Sequence, residues 1–439
     1  MLLSWREKQS GVIAPDERLP WGPTTVMGLQ HVMAMFGATV LAPLLMGFDP
    51  NLSILFSGIG TLIFFVITAG KVPSYLGSSF AFIGPVLAVT AGGGTLAQAL
   101  GGIVAAGLVY TLIGLVVHLT GAGWIDRLMP PMVTGAVVAI IGLNLAGAAR
   151  GMAAADPLIA IITILAVFVV ALRTGGLLGR LPILLGVVVG YLVTLLLRGA
   201  GPGRELLGTT GPGLDFSKVA AAPWIGLPQF QTPEFNWTAI SLIAPVAIAL
   251  VAENTGHIKA VGAMTNRDLM PYLGRGFMGD GVATMVAGMG GGTGVTTYAE
   301  NIGVMAVTRV YSTAIFVVAS LFAILLGLSP KFGALIQSIP LGVLGGVTTV
   351  LFGLIAATGA RIWVDNRVDF SKGANLFIAA VVLIIGAADY TLTLGGFSLN
   401  GITLGTLAAI VLYAIFGRDG RPDDYEFIGD DANERAERS

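Results

Sequence analysis

Apolar runs follow one another almost from end to end of this chain, broken only by short polar or Pro/Gly punctuation. Charged residues make up 11% against 55% hydrophobic, while a soluble domain carries about 25% charge. A surface of that kind cannot stay dissolved, which excludes a soluble multidomain enzyme. A bilayer crossing takes roughly 20 apolar residues, and the 439 residues divide into about fourteen such stretches. They lie near 23–47, 51–69, 79–94, 96–119, 130–148, 157–173, 181–198, 237–259, 276–290, 298–309, 313–329, 335–358, 373–388 and 400–417. The expected fold class is an all-α polytopic membrane protein.

Charge sets the expected orientation. With both termini in the cytosol, all but five of the 23 Lys and Arg residues fall on the inner side. The exceptions are Arg150, Arg198, Arg204, Lys218 and Lys331. This is the positive-inside tendency, and it favours an even number of spans. The opening MLLSWREKQSGVIAPDERLPW is polar and lacks the apolar core of a cleaved signal, so the first span is expected to act as the targeting element. A net charge of −1 offers no basic field for nucleic acid. The absence of Cys removes disulfides, thiolate metal sites and Cys nucleophiles together.

A repeat lies within the apolar background. Residues 77–84 read GSSFAFIG and 295–303 read VTTYAENIG, so that Ser78-Ser79-Phe80-Ala81 matches Thr296-Thr297-Tyr298-Ala299 about half a chain later. The bland alternative is chance agreement among Gly-rich helices, but both copies occupy equivalent short segments. Seven spans per half is odd, so the halves are expected to be inverted in the membrane. The expected organisation is a cytosolic N-terminal segment 1–22, a first repeat 23–198, an outer linker loop 199–236, a second repeat 237–417 and a polar cytosolic tail 418–439. β-Branched or aromatic residues ahead of a Gly suit a short extended piece feeding a half-helix in spans 3 and 10. Such backbone is tolerated at membrane depth only where protein or a watery cavity satisfies it.

Ionisable side chains inside spans cost roughly 2.5–3.5 kcal/mol each and mark function. Glu253 lies in the eighth span, with His257 four residues on and on the same helix face, within expected reach of a shared hydrogen bond. Glu300 and Asn301 sit in the broken tenth span, Asp280 in the ninth, His31 and Gln30 in the first. Against each stands a structural reading, an interhelical hydrogen bond that a neutral Gln or Ser would make at lower cost. For Asp280 the structural and proton-coupling readings balance. His31 suits either the pocket or packing, and His118 suits the interface.

Two carboxylates beside half-helix N-termini combine acceptors with backbone N–H donors. They match a flat, compact ligand bearing both N–H and C=O groups, such as a nucleobase or cyclic imide. Phe80 and Tyr298, one from each repeat, are expected to supply ring faces or edges. From residues alone the reading ends at a proton-linked carrier of a small polar ligand.

These residues resemble the nucleobase–ascorbate transporter family (nucleobase:cation symporter-2), and within it the bacterial uracil permeases. The resemblance runs from LQHVMAMFGATVLAPLL (29–45) through YLGSSFAFIGP (75–85) and AENTGHI (252–258) to TTYAENIGVMAVTRVYS (296–312). In the last, Glu300-Asn301-Ile302-Gly303 and Thr308-Arg309 satisfy the signature [Q/E/P]-N-x-G-x4-T-[R/K/G]. The resemblance implies fourteen spans as two inverted sevens, with a core domain of spans 1–4 and 8–11 and a gate domain of spans 5–7 and 12–14. It implies a homodimer in the bacterial inner membrane, with protons as the coupling ion and no other cofactor or metal. By the same resemblance Glu253 and Glu300 accept the ring N–H groups of uracil. The backbone at Phe80 and at Ala299–Glu300 serves its carbonyls, and His257 joins Glu253 in proton coupling. Asn301, His31 and Asp280 are further pocket or coupling candidates. Two departures stand out, Ala299 where uracil permeases usually have Gly and Asn254 where His is common.

The implied function is inward uracil:proton symport by alternating access. The alternatives are another nucleobase (thymine, 5-fluorouracil or xanthine), a passive channel, and an intramembrane hydrolase, against which the lack of an HExxH or paired-Asp motif counts.

Overall fold

A computed structural model describes residues 3–175, 178–201, 213–394 and 397–417. The polar tail expected at 418–439 and the 202–212 stretch of the expected linker lie outside the described residues.

Ahead of the first helix, β1 (Arg6–Glu7) and β2 (Glu17–Arg18) pair in parallel, so the N-terminal segment is folded rather than a bare polar lead. The first half continues with α1 (Trp21–Met46), α2 (Pro50–Ile67), β3 (Leu76–Ser78), a 3-10 turn over Phe80–Phe82 and α3 (Ile83–Ala91). After it come α4 (Leu96–Thr120), α5 (Gly123–Leu128), α6 (Pro131–Asn144), α7 (Ala146–Ala153), α8 (Pro157–Arg173) and α9 (Pro182–Arg198). Start signals are local. Asp49 caps α2 and Asp156 caps α8, each just ahead of a Pro in the first turn, and Thr95 with Gln98 forms a capping box on α4.

The second half holds α10 (Ser217–Ala221), α11 (Trp237–Ile243), α12 (Val246–Thr265), α13 (Leu273–Gly290), β4 (Val295–Thr297) and α14 (Ala299–Thr308). It ends with α15 (Thr313–Gly327), α16 (Pro330–Gln337), α17 (Leu341–Asp365), α18 (Gly373–Ala387), the hairpin β5 (Leu392–Leu394) and β6 (Phe397–Leu399), and α19 (Gly401–Phe416). The eighth apolar stretch is interrupted between α11 and α12 at Pro245, which has no N–H to give the preceding turn. α16 turns 81° away from α15, so the apolar stretch there is a bent pair.

Among the described residues six helices are long and apolar enough to cross a membrane, or seven with that bent pair, and five shorter apolar helices accompany them. The protein is thus a mainly helical, multi-pass membrane protein.

The helices pack in two groups. One contains α1, α2, α4, α11, α12, α13 and α15, and the other α6 to α9 with α17 to α19. Close approach inside the groups comes from small residues. Gly107 and Gly114 on α4 face Gly281 and Gly274 on α13, where an added Cβ would sit 2.5–2.8 Å from facing backbone atoms. The contacts of α12 with α6 and α19 join the two groups.

Candidate functional site

The site is built where the two repeat segments meet. β3 and β4 pair antiparallel, Leu76 opposite Thr297, Gly77 opposite Thr296 and Ser78 opposite Val295. The Ser79 N–H donates to the Gly294 carbonyl (2.8 Å) and the Tyr298 N–H to the Tyr75 carbonyl (3.0 Å), extending the ladder at both ends. The two irregular segments thereby satisfy each other's backbone groups. Gly77 makes the crossing possible, because a Cβ there would stand 2.4 Å from the Tyr298 ring and 2.6 Å from Thr39 Oγ1. The Tyr298 hydroxyl donates to the Ser78 carbonyl (2.8 Å) and accepts from Thr39 Oγ1 (3.2 Å).

From this crossing two short helices lead away in opposite chain halves. α14 starts at Ala299 with no side-chain cap from Tyr298, leaving its first N–H groups without an acceptor inside the helix. Glu300 occupies that first turn, where a negative charge suits the helix dipole. On the other side Ser79 Oγ accepts the Ala81 N–H at 3.3 Å and starts the turn that carries Phe80.

A cavity of about 60 Å³ lies between them, several times the roughly 10–15 Å³ that one water needs. Ser78 to Phe80, Thr296 to Glu300, Glu253 and His257 line one wall, and Val138 and Ile141 of α6 with Ile355 and Thr358 of α17 line the other. Each helical group therefore supplies a wall. Phe80 packs edge to face on Phe352 of α17, centroids 5.6 Å apart, and both rings are buried. Ala299 and Thr358, in contrast, are exposed. The cavity is thus closed at the Phe80–Phe352 contact and accessible beside Ala299 and Thr358.

The structure brings Phe80, Glu253, His257, Tyr298, Ala299 and Glu300 to this one cavity. Phe80 and Tyr298 do not stack on each other, since one ring packs on Phe352 and the other lies across Gly77. His257 and Glu253 share the cavity, but the imidazole is bonded elsewhere. His257 Nδ1 lies 2.8 Å from Thr297 Oγ1, and the Thr297 hydroxyl donates to Asn254 Oδ1. The Asn254 Nδ2 group in turn donates to Asp280 Oδ2 and to the Tyr110 hydroxyl, the latter at 2.7 Å. The Tyr110 hydroxyl itself donates to the Leu250 carbonyl (3.2 Å). A hydroxyl has one hydrogen to give, so this order assigns the Nδ1–H form to His257 and leaves Nε2 for the cavity.

Asp280 and His31 are buried behind the cavity rather than in it. Asp280 is bonded to the site through Asn254. His31 Nδ1 accepts from Asn301 Nδ2 (3.0 Å), which also donates to the His31 carbonyl (3.0 Å), and the imidazole sits edge-on to Phe316. Asn301 and His31 therefore tie α14 to α1. Asn254 and Thr297 are the residues that sequence reasoning undervalued. Their signal was position, one residue from Glu253 and one from Tyr298.

Comparison with known proteins agrees with this architecture. The chain is 58% identical over 418 residues (93% of each chain) to RutG of Escherichia coli (strain K12), a protein assigned as a pyrimidine permease. It is 41% identical over 436 residues to the uracil permease of the same strain, covering 96% of this chain and 98% of that one. The uracil permease of Bacillus caldolyticus is also 41% identical, over 94% and 96%. Among solved structures, the transmembrane domain of the cyanobacterial bicarbonate transporter BicA superposes with a TM-score of 0.63 at 15% identity, over 88% of this chain and 96% of that one, a likeness of fold. The family model for xanthine and uracil permeases, described as the Permease family, matches residues 22–395. The chain belongs to that family, the nucleobase–ascorbate transporters, and is a transporter rather than an enzyme.

Proposed function

We propose that this permease imports uracil together with a proton by alternating access across the bacterial inner membrane. The observation that carries the reading is the placement of two carboxylates, Glu253 and Glu300, on one cavity beside the uncapped start of α14. Uracil presents two ring N–H groups and two carbonyls. Glu253 and Glu300 accept the former, and the backbone N–H groups at Ala299–Glu300 and Phe80 donate to the latter. Proton coupling belongs to Glu253 and His257 Nε2. A proton bound there lets a neutral base enter without leaving an unpaired negative charge in a dry cavity.

In this reading fourteen spans form two inverted sevens, both termini are cytosolic and the protein works as a homodimer. The core domain is spans 1–4 and 8–11, the gate domain spans 5–7 and 12–14. The two packing groups support that division, as does a cavity with one wall from each. Substrate moves when the core shifts against the gate, alternately exposing the cavity to either face. The relatives named uracil permease and the one assigned as a pyrimidine permease favour pyrimidines over purines.

The test is competition by unlabelled bases against radiolabelled uracil in proteoliposomes with an imposed pH difference. Concentrative uptake that needs the proton gradient, with uracil and close pyrimidines competing and xanthine not, supports the reading. Uptake that only equilibrates makes the protein a passive facilitator.

A further inference from the structure

The segment before the first helix holds the rear of the site. Residues 13–15 lie along the link that follows α14. The Ile13 N–H donates to the Arg309 carbonyl (3.1 Å), the Tyr311 N–H to the Ile13 carbonyl (2.8 Å), and the Thr313 N–H to the Pro15 carbonyl (3.1 Å). The Ile13 side chain is fully buried against Val310 and Ile315. Trp5 Nε1 donates to Thr313 Oγ1 at 2.8 Å, its ring lies 6.0 Å from that of Phe65 on α2, and Asp16 pairs with Arg267 after α12.

One side chain closes this strap on itself. Glu17, 4% exposed, accepts the Ala14 N–H (3.1 Å), the Arg6 guanidinium (2.5 Å) and the Lys8 ammonium (3.2 Å). The carboxylate thereby fixes the turn that presents Ile13 and Pro15 to the link beyond α14.

α14 has ten residues, about 15 Å at 1.5 Å per residue. Its front turn carries Ala299 and Glu300 at the cavity, and it ends at Arg309 in the left-handed region, φ +57°. A helix this short is marginal by itself. Asn301 bonds its front to α1 through His31, while its rear is continued by the 309–313 link that the N-terminal segment holds. With its rear released, so short a helix frays back toward its first turn, and the orientation of Glu300 toward Glu253 is lost with it.

We propose that the strap Trp5–Arg18, knotted by Glu17, is a positioning element of the binding cavity, fixing the rear of α14 and thereby the place of Glu300. Glu17 touches no substrate and acts through Ile13, Pro15 and the 309–313 link. The proposal rests on the uracil reading only where affinity is the readout.

Glu17→Ala, Glu17→Gln and, as a control, Arg361→Ala in an exposed pair with Asp365 are compared in the full-length protein. Hydrogen–deuterium exchange across residues 299–308 needs no ligand, and uracil Kd with the KM and maximal rate of uptake reads the site. Glu17→Ala is expected to speed exchange across 299–308 and to raise Kd and KM about tenfold, with the maximal rate held. Glu17→Gln keeps an acceptor for the Ala14 N–H and loses both ion pairs, so it gives a smaller change in the same direction. Arg361→Ala changes neither. Unchanged exchange across 299–308 with unchanged Kd in Glu17→Ala overturns the proposal. If Glu17→Ala does not fold, the same two readouts on Glu17→Gln decide. Should the parent protein bind another base and not uracil, the uracil reading fails, while exchange and affinity for that base still judge the strap.

Discussion

The imidazole of His257 is bonded through Nδ1 to Thr297 Oγ1 at 2.8 Å, across the junction between α12 and β4, and not to Glu253 on its own helix. Its ring orientation and tautomer are therefore tied to the strand crossing that shapes the cavity. With Thr297→Val the Nδ1 partner is gone and the ring is free to change tautomer. The expected outcome is a shifted pH profile of uptake, with folding retained. Nitrogen-15 shifts of labelled histidine are expected to show Nδ1–H in the parent and a mixed population in the variant. Identical spectra would remove the Thr297 bond from the mechanism.

Glu300→Gln removes a charged acceptor and keeps the shape of the side chain. A hydrogen bond to a charged group contributes about 1.5–3 kcal/mol, so uracil affinity is expected to fall about 10- to 150-fold. Equilibrium binding checks Glu300→Gln, and uptake into proteoliposomes checks Glu253→Ala, in which it is expected to be abolished. Wild-type affinity in Glu300→Gln would take the carboxylate out of the site.

Arg198 and Asp156 form a bidentate pair at 2.9 and 3.0 Å, with Arg198 fully buried and Asp156 also capping α8. Deleting one partner of a buried pair costs about 3–5 kcal/mol, because the other charge stays behind. Arg198→Ala is expected to lower the melting temperature sharply and Arg198→Met/Asp156→Leu to recover much of it. A double variant as unstable as the single one would show that the capping bond, not the stranded charge, dominates.

Gly77→Ala places a methyl group against the Tyr298 ring, which is held by hydrogen bonds to Ser78 and Thr39 and cannot swing aside. Overpacking of this kind costs about 1–3 kcal/mol. The expected result is weakened uracil binding in protein that still reaches the membrane. Thermal melting and binding on the same preparation separate the two effects.

The Ala14 N–H, then the Arg6 guanidinium, hold the Glu17 carboxyl down at about 2, below its ordinary 4.5. A depressed carboxyl contributes stability that is fully present above 4.5 and is lost as pH falls through the window toward 2. The strap is expected to stay docked at neutral pH and to loosen progressively as pH falls from 4.5 toward 2. Exchange at residues 5–18 measured across that window checks it, and Glu17→Gln is expected to flatten the dependence.

Much of this was legible in sequence and part was not, for physical reasons. The two broken segments announced themselves, since Ser-Ser-Phe and Thr-Thr-Tyr ahead of Gly-containing half-helices cannot be ordinary spans. Glu253 and Glu300 stood out because a carboxylate is costly in an apolar run. Hydrogen-bond direction was not legible. Helical spacing puts His257 over Glu253, yet β4 arrives from 40 residues later with a hydroxyl at closer range. Asn254 looked like a lost histidine and proves to join Thr297, Tyr110 and Asp280. Arg198 counted as a loop charge, because nothing in its own neighbourhood names Asp156 some 42 residues away. The strap was hidden by its polarity, which reads as solvent-exposed until Glu17 is seen to gather Arg6 and Lys8.

The pairing of β3 with β4 also has a consequence for biosynthesis. Three residues made early must wait, within the bilayer, for three made more than two hundred residues later. Until the ribosome delivers that second strand, the peptide groups of β3 lack the ladder that pairs them in the finished protein, so the site cannot be assembled from the first half of the chain alone.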